Sequence, residues 1–301
     1  MRDLQDDARG RRFLRLGPLQ IKEDLMDWQD RLADLRQRIA KKEKILIAYS
    51  GGVDSSLLAS VASDVLKENA LCVILDSETL PRSEFLHAGE LARSLGLNFE
   101  VRKCSLLSLE GFANNPPNRC YFCKKASFGE LFSLARDRGI DCIADGLNQS
   151  DYDDYRPGIA ACREMGIWHP FVDAGISKKD IREIARNMGL SFWDKPSSAC
   201  LSSRIPYGEK IRVDNLLMVE QAEDFLKSLG FIQVRVRAHG KLARIEFLEE
   251  DLQRALNCRV EISRKFRFIG FLYAAMDLSG FRSGSMNEML ERETGRDIRN
   301  F

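Results

Sequence analysis

Apolar residues at Leu25, Trp28, Leu32, Leu35 and Ile39 recur at helical spacing, which predicts a first amphipathic helix ending in the lysines before Ile45. Beyond it the pattern changes. Short apolar runs at 45–48, 71–75 and 142–144, with the segment 98–101, read as strands, and segments 55–66, 84–95 and 123–138 as the helices between them. Apolar strands alternating with helices imply a parallel sheet covered on both faces, an α/β fold. Ser177 is placed to cap a further helix, with Asp180 at its third position and Gly189 just past its end.

After Trp193 the order changes again. A polar loop with Pro196 and Pro206 leads to a helix over about 214–229, then to strands at 231–237 and 243–247 joined at His239-Gly240. These shifts divide the chain into four expected parts. Residues 1–18, rich in Arg, Asp and Gly, are a mobile leader; 19–204 form the parallel-sheet domain; 205–276 form a smaller C-terminal α+β domain; 277–301 are a flexible tail.

At 301 residues, 44% hydrophobic and 30% charged, the chain has the makings of one large or two modest soluble domains. A formal net charge of +1 gives the molecule no overall field to draw it onto nucleic acid or a membrane, so any basic site must be local. The apolar stretch 268–276 is too short to cross a bilayer, and the charged N-terminus lacks an apolar signal core; a cytoplasmic protein is expected. In a reducing compartment its eight cysteines serve as thiols, metal ligands or nucleophiles rather than disulfides.

Residues 50–56 read Ser-Gly-Gly-Val-Asp-Ser-Ser, between a strand and a helix. Free N–H groups and the helix dipole converge at such a junction, a ready anion site. Gly51 and Gly52 let the backbone approach the anion, and Ser50, Ser55 and Ser56 offer hydroxyls to phosphate oxygens. Asp54 belongs beside an anion only if Mg²⁺ bridges it or if it caps the helix. The Lys-Thr ending of a Walker A loop is absent.

Cys120 and Cys123 lie in Asn-Pro-Pro-Asn-Arg-Cys-Tyr-Phe-Cys-Lys-Lys, a C-x-x-C pair in a loop that opens a helix. Lys124, Lys125 and the helix N-terminus are expected to lower the thiol pKa values. Two cysteines cannot complete a zinc or iron–sulfur site, and the best third candidate is Cys200, in the polar loop between the domains. Arg204 would bring positive charge beside it, for a phosphate or a thiolate. The bland alternative is unlinked thiols. Cys72 and Cys142 fall in apolar strands and read as core; Cys104, Cys162 and Cys258 show no partner pattern. In the last two strands Arg235 and Arg237 alternate with valines, and Arg244 and Glu246 with Ala243, Ile245 and Phe247. Paired as a hairpin, these put three arginines and Glu246 on one face, either an anion pocket or a set of solvated ion pairs.

The strand, Ser-Gly-Gly-Val-Asp-Ser loop and helix together resemble the PP-loop of the ATP pyrophosphatases, with their adenine nucleotide alpha hydrolase-like fold. Within that group the chain resembles, over about 44–247, the ATP-dependent sulfur transferases that make the nickel-pincer nucleotide cofactor of lactate racemase. The matches are SGGVDSS, NPPNRCYFCKK, the segments 145–148, 153–158, 193–196 and 199–208, and the span 234–246. The resemblance implies ATP and Mg²⁺ at Ser50, Gly51, Gly52, Asp54, Ser55 and Ser56, with Leu75 at the second strand end and Asp145-Gly146 completing the site. It implies a pyridinium dicarboxylate mononucleotide whose carboxylates are adenylated and converted to thiocarboxylates. Its phosphate would meet Ser203, Arg204, Arg235 and Arg237, with Glu223 and Glu246 as metal or arginine partners. A homo-oligomer is implied too.

The family has two sulfur sources. A lone cysteine at the position of Cys200 gives up its own sulfur, or three cysteines hold a [4Fe-4S] cluster whose open iron carries sulfide from a sulfur donor. Cys120, Cys123 and Cys200 match the second. The rivals are a tRNA thiolase, which needs a basic surface or an RNA-binding appendage; an amidotransferase-type PP-loop enzyme, which has no use for C-x-x-C; and a scaffold that binds ATP without turnover.

Overall fold

Two three-residue strands, β1 (Leu4–Asp6) and β2 (Arg12–Leu14), pair antiparallel within the expected leader. Otherwise the computed structural model describes residues 27–153 and 157–282. The rest of the leader, Leu25 of the first apolar stripe, positions 154–156 of the 153–158 segment and the tail from 283 onward lie outside the described residues.

Asp27 accepts from the amides of Gln29 and Asp30 and so starts α1 (Trp28–Ala40), whose Leu32, Leu35 and Ile39 are buried. The chain then alternates: β3 (Ile45–Ala48), α2 (Val53–Leu66), β4 (Ala70–Asp76), α3 (Arg82–Ser94), β5 (Phe99–Lys103), α4 (Glu110–Ala113), α5 (Arg119–Arg138) and β6 (Ile143–Ala144). The strands form one parallel sheet in the order β5-β4-β3-β6. Alternate residues of β3 and β4 face opposite ways. Ile45, Ile47, Cys72 and Ile74 pack with α1, α2, α3 and a later helix, whereas Leu46, Leu71 and Val73 pack with α5. Two separate cores on the two faces explain why these strands carry no polar alternation.

Helices α6 (Pro157–Glu164) and α7 (Pro170–Asp173) follow, then α8 (Lys178–Asn187), which opens with a full capping box between Ser177 and Asp180. Then come α9 (Val213–Ser228), β7 (Val234–His239), β8 (Leu242–Phe247), α10 (Leu252–Asn257), α11 (Arg259–Ile269) and β9 (Tyr273–Met276). The second sheet has the order β7-β8-β9, with β7 antiparallel and β9 parallel to β8.

Several boundaries differ from the sequence expectation. β7 begins at Val234, because Phe231 is spent as a buried anchor against Phe247 (ring centroids 4.8 Å apart). Helix α5 begins at Arg119, so the C-x-x-C pair sits in its first turn and not in a loop before it. Cys142 lies just before β6 and is half-buried, unlike the fully buried Cys72. No helix among the described residues is long and apolar enough to cross a membrane.

The register Arg235↔Glu246 and Arg237↔Arg244 puts the charged side chains of β7 and β8 on one face. There Arg237 grips Glu246 through two hydrogen bonds of 3.0 and 2.9 Å, and Arg244 reaches the same carboxylate at 3.2 Å. Glu246 is completely buried. Glu246→Ala removes the carboxylate that both arginines share, and is expected to cost about 3–5 kcal/mol in urea denaturation. A loss below about 1 kcal/mol would mark the pair as a solvated one.

Candidate functional site

The loop after β3 owes its shape to Gly51, which holds φ +69° and approaches α3 so closely that a Cβ would lie 2.7 Å from the Ala88 Cα. Gly52 is the N-cap of α2 and supplies no side-chain hydrogen bond, so the helix presents its N-terminus without a side-chain cap. Around it the Ser50 and Ser55 hydroxyls lie 3.1 Å apart, and the Ser55 hydroxyl also meets the Ser50 amide and the Gly52 carbonyl. Ser56 turns inward, fully buried, and donates to the Tyr49 hydroxyl at 3.3 Å.

Asp54 is not a cap. Its Oδ2 pairs with the Lys178 ammonium, and its Oδ1 is buried without a partner. A second lysine, Lys195, donates to the Gly51 carbonyl at 3.2 Å and to Glu84 at 2.8 Å. Arg182 holds the loop bearing it through the Trp193 and Lys195 carbonyls, both at 2.8 Å. Sequence reasoning missed Lys178 and Lys195 as neighbours of the loop. Lys195 lay within a quoted segment and Lys178 beside a quoted cap, but only tertiary packing brings their ammonium groups here.

Asp145 and Gly146, just past β6, press on the first turn of α2: a Cβ on Gly146 would lie 2.9 Å from the Ser55 amide nitrogen. The buried Asp145 carboxylate accepts from His169 Nδ1 at 2.7 Å, from the Leu147 amide at 3.1 Å and from Lys124 at 3.4 Å. Burial raises its pKa, but Lys124 and His169 outweigh burial and hold it at about 2. Leu75, half-buried near the C-terminal end of β4, packs on both the sheet's second core and that of the later sheet.

Cys120 is exposed and Cys123 half-buried on the first turn of α5; Cys200 is exposed just before the short 3₁₀ turn Leu201–Arg204. The charges of Cys200 and Cys120 both bear on Cys123 and raise its pKa. The Cys200 sulfur lies 3.0 Å from the Ser202 hydroxyl. The expected lowering of the thiol pKa does not hold for Cys123. Burial pushes it up to about 12, Cys200 adds to the rise, and Lys124 only partly opposes it. Lys125 is no help, because its ammonium pairs with Glu164 at 2.8 Å.

Arg204 is buried and committed. It forks onto Glu223 at 2.9 and 3.0 Å, and its Nη1 donates to the Ala199 and Cys200 carbonyls and the Ser203 hydroxyl. Its charge therefore braces the Cys200 loop from within. Arg237 adds a 2.6 Å hydrogen bond to the Ser203 carbonyl. Arg235 has no carboxylate partner among the described residues and stacks on Phe281 at 4.5 Å. Burial, then the neighbouring Arg204 and Arg237, lower its pKa to about 10. A cation short of counter-charge is what an anion would complete.

Comparison with known proteins finds relatives across most of the chain. The NAD synthase family model matches residues 27–108. An uncharacterized protein of Synechocystis sp. is 42% identical over 266 residues, covering 88% of this chain and 99% of its own. The pyridinium-3,5-bisthiocarboxylic acid mononucleotide synthase of Lactiplantibacillus plantarum is 38% identical over 251 residues, covering 83% and 91%. A tRNA-specific 2-thiouridylase of Leptospira biflexa is 29% identical over 196 residues, 52% of each chain.

Gly146→Ala drives a methyl group into the backbone at Ser55, and is expected to weaken ATP binding at least about tenfold in calorimetric titration, the consequence of about 1.4 kcal/mol of lost affinity. Unchanged affinity would mean that Asp145-Gly146 does not bear on the nucleotide.

Proposed function

The chain belongs to the family of the pyridinium-3,5-bisthiocarboxylic acid mononucleotide synthase and is an ATP pyrophosphatase-type sulfur transferase, and from that premise we propose that it adenylates the carboxylates of a pyridinium dicarboxylate mononucleotide and converts them to thiocarboxylates. The observation that carries this reading is the PP-loop at the uncapped start of α2, with Asp145-Gly146 pressed on its first turn and Lys124 reaching from the cysteine-bearing helix to Asp145.

The proposed roles follow from the residues. The uncapped N-terminus of α2, the amides at Gly51 and Gly52 and the Ser50 and Ser55 hydroxyls hold the pyrophosphate part of ATP. The orphaned Asp54 Oδ1 fits a cation, so Asp54 would hold Mg²⁺ against the phosphates. Lys178 and Lys195 are placed to exchange their present partners for phosphate oxygens. The substrate carboxylate attacks the α-phosphorus, pyrophosphate leaves, and the acyl-adenylate turns a poor leaving oxygen into part of AMP. Sulfur then attacks the carbonyl carbon and AMP departs. Arg235, with Ser203 at the mouth of the braced loop, receives the substrate phosphate. On this division 19–204 handles ATP and 205–276 the substrate.

By donor type Cys120, Cys123 and Cys200 suit a cluster, since all are sulfur and two are exposed. No group of three His, Cys, Asp or Glu among the described residues is arranged to hold a metal ion. Bound to three thiolates, a [4Fe-4S] cluster supplies one open iron for sulfide. The enzyme would then work in the cytoplasm as a homo-oligomer, taking sulfide from a separate donor.

Two measurements test this. Pyrophosphate release from ATP is expected to require the dicarboxylate mononucleotide; release without it, or none with it, would sink the substrate assignment. After anaerobic reconstitution the protein is expected to bind about four irons per chain, lost in Cys120→Ala together with sulfur transfer. Undiminished transfer by Cys120→Ala would point instead to donation of the Cys200 sulfur itself.

A further inference from the structure

Two chain segments carry the three thiols, and they are joined at a residue that the scheme above leaves unused. Asn115 is completely buried and holds φ +55°, in the left-handed region that few residues other than glycine enter. Its amide nitrogen donates to the Ile205 and Pro206 carbonyls at 3.1 and 2.6 Å. Its side-chain oxygen accepts from Arg119 Nη1 at 2.9 Å, and its main-chain carbonyl accepts from the Gly208 amide at 3.0 Å. The Arg119 guanidinium in turn lies 4.5 Å from the centre of the Tyr207 ring.

The side chain therefore spans the gap between the two cysteine-bearing segments: Arg119 immediately precedes Cys120, and Ile205 immediately follows the turn that Cys200 opens. Leu201 and Ile205 are buried in the same core on which Phe122 and Cys123 pack. An amide in such a place is costly unless every polar atom is matched, and here each is. Apolar packing alone would not call for it, nor for the left-handed backbone that aims it.

We propose that Asn115 is a positioning residue that sets the separation of Cys200 from the Cys120 and Cys123 pair. The proposal rests on the reading of the three thiols as one unit. Asn115 acts from one side through Arg119 and from the other through the 205 and 206 carbonyls, and it makes no contact with the ATP loop.

The test uses the full chain without iron, under anaerobic conditions, and a short thiol-bridging reagent, dibromobimane, with the bridges identified by peptide mapping. Asn115→Gly keeps the backbone conformation and deletes the clamp. Asn115→Asp keeps the shape and the Arg119 partner but faces two carbonyls with no donor. Both are expected to cut the Cys123–Cys200 bridge about tenfold, as the loss of two buried hydrogen bonds would. Bridging of Cys120 to Cys123, which share one helical turn, and ATP affinity should stay at the wild-type level. Iron retained after reconstitution should fall in parallel. Unchanged Cys123–Cys200 bridging in either folded variant overturns the proposal. So does global unfolding of both, since a clamp acting on the thiols alone leaves the cores intact. A wild-type chain that bridges Cys120 to Cys123 but never Cys123 to Cys200 would instead overturn the three-thiol unit.

Discussion

The Asp145 carboxylate is the joint on which the site depends, because it is ionised, buried and shared between several elements. Lys124 comes from the thiol helix, His169 from the segment before α7, and Gly146 presses the same turn against the start of α2. A buried carboxylate is tolerable only when opposite charge and hydrogen bonds surround it, and the cost of burying Asp145 is outweighed here by exactly such neighbours.

The parallel sheet was legible because its signal is local. Apolar runs of strand length, separated by helical periodicity, leave few alternatives, and the observed strands lie within a residue or two of the expected ones. The late elements were not legible for the opposite reason. Helix α11 buries only Ile262 and Phe266, and three of the four residues of β9 are exposed, so neither carries a stripe strong enough to read. The β7 and β8 face was legible from alternation alone, but its use was not. Pairing of Arg237 with Glu246 and of Arg204 with Glu223 depends on which side chains meet in space.

The same limit explains the thiols. C-x-x-C and a distant cysteine are visible as types and spacings, and Cys123 feels the charge of both others. The direction of the Cys123 pKa was not visible, because it is set by burial against the core of the later sheet, and the sequence shows only the two lysines next door. Both lysines turn away to carboxylates, Lys124 to Asp145 and Lys125 to Glu164. A neighbouring charge in sequence is not a neighbouring charge in space.

The two buried arginine forks bear on why the Cys200 loop is held so firmly. Buried ion pairs contribute little net stability compared with apolar groups of the same size. What Arg204 and Arg237 provide is direction: each fork fixes a planar guanidinium, and the remaining donors of both grip the 199–203 backbone. An apolar core could bury this loop but could not hold its carbonyls at set angles, and a cysteine that must meet two others on a separate helix needs the angle as much as the burial. The neighbouring Arg235 stays outside the brace, stacked on Phe281 with no carboxylate hydrogen-bonded to it among the described residues.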